Sequence, residues 1–305
     1  MKTIGCVAWM ALTAWCASGQ QAEGYDARKA RVAELLQRRE FVAALDLAKA
    51  LNKQTPDDVM VYGYMADAQT ALGDYGEAVE NTQWMLRLRP GNAQGLLRAG
   101  LLRELHGDAN GALDALQMAY DATPFANRAD RAWTLAQMSR VDLAAGDVKG
   151  AEGYANSALE IAPENDAALG ALGEARMAQK RYGEAAELFA KRYAASRRAA
   201  DLFAVGKARA AGGDASAAKT LSEFERAAVR VEDAPDNANG ALAEYYLDFV
   251  KAPGKALAVA EKETARRHDV FTLTVYARAL RAGGHAGRAE EQMARSAGWP
   301  GHATR

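Results

Sequence analysis

The sequence predicts an all-α protein, a right-handed superhelical solenoid of about eight antiparallel helix pairs. A short pattern recurs along the chain at intervals of 33 to 39 residues, the range typical of helical repeats. Alanine is abundant, and no segment alternates apolar and polar residues as a half-buried β-strand would. The chain has 305 residues, half of them apolar, which is enough to bury a continuous core between such pairs.

One copy of the pattern, ALGDYGEAVENTQWMLRLRPGN, runs from Ala71 to Asn92. It contains a Gly-Asp turn, an aromatic residue, an alanine that begins an apolar-periodic run, and a closing proline. The alanine recurs at Ala44, Ala78, Ala112, Ala151, Ala185, Ala218, Ala256 and Ala289. Eight units in one phase predict a stack in which each unit contacts its neighbours.

The residue types of the pattern suit a helical hairpin. A glycine can take the left-handed conformation that ends the first helix, and the aspartate after it can cap the second. These glycines include Gly73, Gly107 and Gly146, and the aspartates are Asp74, Asp108, Asp147 and Asp214. Small residues midway along each first helix should let the two helices approach closely. A proline ends each of the first four second helices, because it cannot continue the hydrogen-bond ladder.

Two kinds of departure from the pattern stand out. The Gly-Asp turn is replaced by Arg39-Glu40 in the first unit and by Lys180-Arg181 in the fifth. Two connections are longer than the rest, at 124–131 and 231–240. The second is rich in Asp, Asn and Pro, which predicts a hinge between a six-unit solenoid (20–234) and two divergent terminal repeats (235–298).

These residues and their spacing resemble the tetratricopeptide repeat (TPR), over nearly all of the chain from Tyr25 to Gly298. The resemblance implies stacked helical hairpins with a concave face formed by the first helix of each pair. Residues 256–272 also carry an ALxxAxxExxxRxDVxT run, which is similar to the final units of other secreted bacterial repeat proteins. This second resemblance implies that the protein is secreted, and it implies no mechanism.

The first 19 residues predict a secretory signal peptide. Lys2 gives a basic start, residues 4–17 are almost wholly apolar, and Ala17-Ser18-Gly19 forms a small-residue cleavage site. The apolar run is shorter than a membrane-spanning helix requires, so we expect no span after cleavage. The mature protein is therefore predicted to be periplasmic or extracellular. At the C-terminal end, residues 299–305 are predicted to form a short tail after the last repeat.

Both cysteines, Cys6 and Cys16, lie in this opening segment. Cleavage after Gly19 leaves a mature chain without cysteine, whose stability must come from packing alone. Lipid anchoring at Cys16 is the alternative. It is less favoured, because the preceding Trp15 fits a lipoprotein cleavage site poorly.

Composition argues against several classes of function. The net charge of −1 lacks the basic excess on which nucleic-acid binding depends. The four histidines, His106, His268, His285 and His302, have no partner at metal-ligand spacing. The glycine pairs lack the lysine and hydroxyl residues of a phosphate loop. We therefore predict a non-enzymatic protein with no metal and no cofactor.

A helical stack can bind a partner through its inner surface, which the first helices line. Positions predicted to face this groove are rich in aromatic residues and arginine, as binding hot spots are. They are Met60, Asp67, Leu101, Trp133, Arg140, Glu174, Phe203, Lys207, Tyr245, Phe271 and Arg278. An extended peptide or a helix of another protein is the expected ligand. The arrangement that clamps a peptide C terminus in some repeat proteins is disfavoured, because Lys29 could begin it but Ala33 breaks it.

The sequence thus predicts a protein-interaction scaffold or adaptor of the bacterial cell envelope. Two alternatives stay open. The chain could associate with copies of itself as a structural envelope protein, since Trp299 lies close to its end. It could also bind a carbohydrate or another small molecule at the aromatic groove residues.

Overall fold

The structure is a computed structural model that describes residues 24–297, with side chains up to residue 294. Within this range the chain forms sixteen α-helices and one short π-helical segment, Tyr246–Val250. The helices are α1 (Tyr25–Gln37), α2 (Phe41–Gln54), α3 (Val59–Leu72), α4 (Tyr75–Leu88), α5 (Ala93–Leu105), α6 (Ala109–Ala122), α7 (Arg128–Ala145), α8 (Val148–Ile161), α9 (Asp166–Ala178), α10 (Tyr182–Ser196), α11 (Ala199–Ala211), α12 (Ala217–Arg230), α13 (Asn239–Tyr245), α14 (Pro253–Thr264), α15 (Val270–Ala282) and α16 (Ala286–Ala297). The predicted signal peptide with Cys6 and Cys16, and the tail with Trp299, lie outside the described residues.

Consecutive helices pack against each other in pairs, and the pairs stack into a solenoid. Unit one is α1 with α2, unit two is α3 with α4, and so on to unit eight, α15 with α16. First helices of successive units also touch, as α3 does with α5 and α7 with α9. The predicted all-α solenoid is confirmed.

The repeated alanine is a packing position. Seven of the eight predicted alanines are fully buried, and the eighth, Ala218, is exposed. In unit six the position belongs to Ala217 instead, which is buried. The phase shifts because α12 begins only at Ala217, after Ser216 has bonded to Asp214. Four residues on, Leu221 then lies opposite Gly206, where an added Cβ would be 2.5 Å from its Cδ2.

The turns between helices follow the predicted chemistry with two exceptions, Asp74 and Asp214. Gly73, Gly107 and Gly146 all have φ near +90° and end their first helices. Asp108 and Asp147 accept hydrogen bonds from the backbone N–H three residues on, as N-caps should. Asp74 makes no such cap bond. Asp74 instead lies in the turn at residues 72–75, which contacts residues 268–270. Asp214 accepts from the Ser216 N–H, and Ser216 instead occupies the N-cap position of α12.

The sequence predicts a hinge at residues 231–240, but the units before and after this connection share one apolar core. One buried cluster contains Leu202 and Phe224 of unit six together with Tyr245 and Val259 of unit seven and Leu280 of unit eight. Buried Asn239 also donates to the Glu232 carbonyl at 3.1 Å, which ties the connection to the helix after it. The core therefore passes from unit six into the terminal pair. The boundary at 234/235 stays a prediction.

The solenoid closes on itself, a feature that the repeat pattern does not predict. The His268 N–H donates to the Leu72 carbonyl at 2.8 Å, and the Val270 N–H donates to the Tyr75 hydroxyl at 2.8 Å. Tyr75 and Val270 share a buried apolar cluster with Leu102. Unit two thus contacts the start of unit eight, which lies almost 200 residues later in the chain.

Gly73 lies at the centre of this contact. A Cβ on Gly73 would be 2.5 Å from the carbonyl carbon of His268 and 2.8 Å from the Asp269 nitrogen. Those distances are too short for any side chain, so two backbones meet here directly. We call this contact, between residues 72–75 and 268–270, the closure.

We expect Tyr75→Phe to lower the free energy of unfolding by about 1–2 kcal/mol, because it leaves the Val270 N–H without its acceptor. Burial raises the pKa of Tyr75 to about 12, so the hydroxyl is neutral at physiological pH. Urea denaturation of the two chains followed by circular dichroism measures the difference. Equal midpoints and slopes would contradict the assigned contact.

Candidate binding channel

Two adjoining cavities lie along the inner face of the solenoid, and Trp133 lines both. The first, of about 510 Å³, is lined wholly by first helices α3, α5 and α7, including Asp67, Leu97, Arg98, Leu101 and Trp133. The second, of about 740 Å³, is lined mainly by α7 and α9, including Glu104, Trp133, Arg140, Asp166, Glu174, Arg192 and Arg198, with Arg39 entering from the first turn. Together we call them the inner channel. First helices therefore form the concave surface, as the repeat predicts.

Ion pairs hold most charged side chains of the channel in place. Arg98 donates through Nε to Asp67 at 2.8 Å and to the Gly63 carbonyl at 3.3 Å. Arg140 lies 3.8 Å from Glu104. These pairs link neighbouring units, since each partner belongs to a different first helix. They leave the channel polar yet largely charge-compensated.

Glu174 and Glu244 differ from the other carboxylates of the inner face. Desolvation by the surrounding helices raises the pKa of both carboxyls, although Glu174 remains exposed to solvent and Glu244 is part-buried, and nearby Lys207 opposes that rise at each. Arg192 and Arg140 add to the opposition at Glu174. Because folding raises these pKa values, the folded state holds protons more tightly between the ordinary carboxyl pKa and the raised one. Ionisation of both groups therefore costs stability as the pH rises through that window.

Apolar surface in the channel is concentrated at Trp133 and Leu101. Both are partly buried, so each rests against the stack while one side faces the cavity. A ligand that covered them would bury aromatic and aliphatic area next to fixed charges, which is the composition of a protein-binding surface.

The structure gathers five of the eleven predicted groove residues in the channel: Asp67, Leu101, Trp133, Arg140 and Glu174. Lys207 is exposed, and its ammonium lies 5.4 Å from the centre of the Phe203 ring. Met60 and Phe271 are exposed outside the two cavities. Arg278 is bonded to Asp248 at 2.8 Å.

Two of the predicted groove residues are packing residues instead. Phe203 is 4% exposed and Tyr245 is 8% exposed. Phe203 stacks on Phe224 with ring centres 4.7 Å apart, and Tyr245 meets the same ring edge-on at 5.6 Å. The prediction that these side chains face the groove is wrong. Aromatic residues around the connection 231–240 are needed to fill the seam between units six and seven.

Several channel residues were not among the predicted groove residues: Arg39, Leu97, Arg98, Glu104, Asp166, Arg192 and Arg198. Arg39 is the most unexpected of them. It appeared only as a departure from the Gly-Asp turn, and it has φ of +59°. The turn aims its side chain into the second cavity of the channel. It also lines a third cavity, of about 370 Å³, beside the closure, with Phe41, Leu72, Pro235, Arg266 and Arg267.

Within residues 24–297, no three His, Cys, Asp or Glu side chains come together as a metal site would require. None of the helices in this range has the length and hydrophobicity of a bilayer-spanning segment.

Comparison with known proteins identifies relatives by structure alone. No protein-family model matches the sequence, and no protein of curated function matches it. Among solved structures, a chain of the APC/C hetero-tetramer Cut9–Hcn1 aligns with a TM-score of 0.59 at 14% identity, over 87% of this chain and 49% of the other. The present chain thus spans about half the length of that protein.

Two smaller proteins align over most of their own length. PilW, a widely conserved type IV pilus biogenesis factor, aligns with a TM-score of 0.53 at 19% identity, over 68% of this chain and 92% of PilW. A thermophilic TPR protein of Thermus thermophilus aligns with a TM-score of 0.54 at 22% identity, over 62% of this chain and 98% of the other. At these identities the likeness concerns the fold. The chain has the fold of a tetratricopeptide-repeat protein, as its repeated residues indicate.

Proposed function

We propose that the protein is a non-enzymatic scaffold or adaptor of the bacterial cell envelope, which binds an extended peptide or a helix of another protein in its inner channel. The observation that carries the proposal is the position of Trp133. It stands between two adjoining cavities, so one ligand can contact it from either side. Tryptophan is one of the three residue types enriched at binding hot spots, with tyrosine and arginine.

The shape of the channel favours a chain-like ligand over a compact one. The two cavities follow one another along α5, α7 and α9, and their combined wall contains both apolar and charged side chains. A peptide can place successive side chains against such a wall. A preformed small-molecule site would instead be an enclosed, mostly apolar cleft.

The envelope location rests on the predicted signal peptide. Support for a protein ligand comes from the structural neighbours: one is part of a hetero-tetramer, and another is a pilus biogenesis factor. Those properties belong to those proteins, and here they only make a scaffold the natural proposal for the same fold.

The proposal predicts that Trp133→Ala reduces recovery of the bound protein by roughly tenfold or more, because truncating a central hot-spot tryptophan typically costs 2 kcal/mol or more. The matched control is Trp84→Ala. Trp84 is 46% exposed on the second helix α4 and lies outside both cavities. Tagged chains would be purified from crosslinked cells, and their co-purifying proteins quantified by mass spectrometry.

Three results would reject the proposal. If wild type recovers only copies of this chain, self-assembly is the better account. If it recovers no protein but a sugar or another small molecule raises its melting temperature, the channel is a small-molecule site. Equal losses with Trp133→Ala and Trp84→Ala would show that the inner channel is not the binding surface.

A further inference from the structure

Arg39 occupies the one position from which a side chain lines both the inner channel and the cavity beside the closure, among the cavities described above. Its left-handed backbone makes this possible. Residues other than glycine adopt that conformation at a cost of roughly 1 kcal/mol. Gly73 and Gly107 serve the same turn position in units two and three without that cost.

The guanidinium groups near Arg39 already have carboxylate partners. Arg198 donates to Asp166 at 2.9 Å and to Asp201 at 3.1 Å. Arg267, on the other side, donates to Glu263 at 2.6 Å. Among the residues that the structure describes, Arg39 itself has no hydrogen bond and no ion pair from its side chain.

The surroundings of Arg39 disfavour an uncompensated positive charge. Desolvation lowers the pKa of Arg39, and the charges of Arg267 and Arg198 lower it further, against weaker support from Asp236 and Asp201. An arginine stays protonated even so. Because the Arg39 side chain is exposed, water still solvates its charge, and an anion that reached it inside the cavity would form a charge-assisted hydrogen bond with a guanidinium that has no protein partner.

We propose that Arg39 binds a carboxylate of the peptide that occupies the inner channel. The inference rests on the proposed function, because it assigns the charge of that ligand. The side chain is accessible to solvent, and a guanidinium can hold a carboxylate through two parallel hydrogen bonds.

A carboxylate fits this place better than a phosphate does. Glu104, Asp166 and Glu174 line the same cavity, and they would repel a group with two negative charges. One spare guanidinium can compensate one negative charge. The carboxylate can belong to an acidic side chain or to the end of a peptide chain, since both present the same group.

The experiment selects ligands from a library of random decapeptides displayed with free C termini. Three forms of the full chain, each purified as the cell processes it, serve as bait: wild type, Arg39→Gln and Arg38→Gln. Arg38 is the matched control, because it is the adjacent residue and its exposed side chain pairs with Glu34 at 2.7 Å. Thermal unfolding of each chain verifies that it is folded.

We expect wild type and Arg38→Gln to select peptides with a shared acidic residue or a shared C-terminal position, and Arg39→Gln to lose that preference. The best peptide should bind Arg39→Gln about 10- to 100-fold more weakly in fluorescence anisotropy, the range for losing a hydrogen-bonded charge. Arg39→Lys should recover part of the affinity. Amidated and acid-to-amide versions of the peptide distinguish a terminal carboxylate from a side-chain one.

Other outcomes separate this inference from the proposed function. Wild-type peptides with no preference for a carboxylate, or with equal affinity for Arg39→Gln, would overturn the role of Arg39 and leave the channel as a peptide site. If inorganic phosphate displaces the peptide at lower concentration than acetate does, the site prefers phosphate and the inference fails. Selection of no peptide by any of the three chains would reject both.

Discussion

Gly73→Ala is expected to lower the free energy of unfolding by about 2–4 kcal/mol, because two separate costs add at this position. Gly73 has φ of +94°, where any other residue is strained. Its added Cβ would also lie 2.5 Å from the carbonyl of His268. The atoms that this Cβ would meet are backbone atoms of His268 and Asp269, which cannot move aside as the end of a flexible side chain could. The closure must therefore open or shift.

Gly146→Ala is the control that isolates the second cost. Gly146 has φ of +90° in the equivalent turn of unit four, and a Cβ there would meet nothing within 4 Å. It should cost only about 1 kcal/mol, the price of the left-handed conformation. Urea denaturation measures both, and small-angle X-ray scattering should show a larger radius of gyration for Gly73→Ala alone. Equal losses would mean that the closure adds nothing to stability.

Phe224→Ala is expected to cost about 3–5 kcal/mol, the usual range for emptying a buried phenylalanine site. Phe224 is fully buried, and its ring lies between Phe203 of unit six and Tyr245 of unit seven. Its removal should weaken the seam between the six-unit stack and the terminal pair. Denaturant unfolding followed by tryptophan fluorescence and circular dichroism measures the loss.

Phe125→Ala is the matched control, because Phe125 is 86% exposed and should change stability by no more than about 0.5 kcal/mol. The number of unfolding transitions tests the seam separately. If the seam joins the six-unit stack to the terminal pair, Phe224→Ala should shift the unfolding midpoint of both. A shift confined to one of two separate transitions would show that residues 231–240 divide the chain into independent units.

The repeated features of the fold could be predicted because they are local. A left-handed glycine, a small residue opposite a large one and a proline after a helix act within about 40 residues, so most copies repeat several of the same residue types. The closure acts between Tyr75 and Val270, and it occurs once, so no repetition marks it.

One signal of the closure was nevertheless present in the sequence. Val270 belongs to the DVxT part of the run that resembles other secreted repeat proteins. Asp269 in that run caps α15 by accepting from the Thr272 N–H at 3.1 Å. Arg267 in turn lies 3.4 Å from Asp269. These contacts fix the start of α15, and Val270 then meets Tyr75. The DVxT residues are therefore explained by their packing against Tyr75 in unit two, which the sequence alone did not show.

The site was predicted less completely than the fold, for a similar reason. The repeat pattern specifies which helix faces inward, and this brought Trp133, Arg140 and Glu174 to one cavity. It does not specify how deep a neighbouring ring lies, so Phe203 was misplaced. Arg39 of unit one lines the same cavity as residues of units four and five, which is again a non-local effect.

The most direct test of the account uses one helix pair with an inner and an outer lysine. Lys207 on α11 and Lys219 on α12 are both exposed, on the first and the second helix of unit six. Lys207 does not line the two cavities, but it lies close to Glu174 of the inner channel. A photo-crosslinking residue placed at either position would be activated in living cells, and the adducts identified by mass spectrometry. Adducts from position 207 with one recurrent envelope protein, and few from position 219, are the predicted result. Adducts from 219 alone, equally from both, or only with copies of this chain would contradict binding in the inner channel.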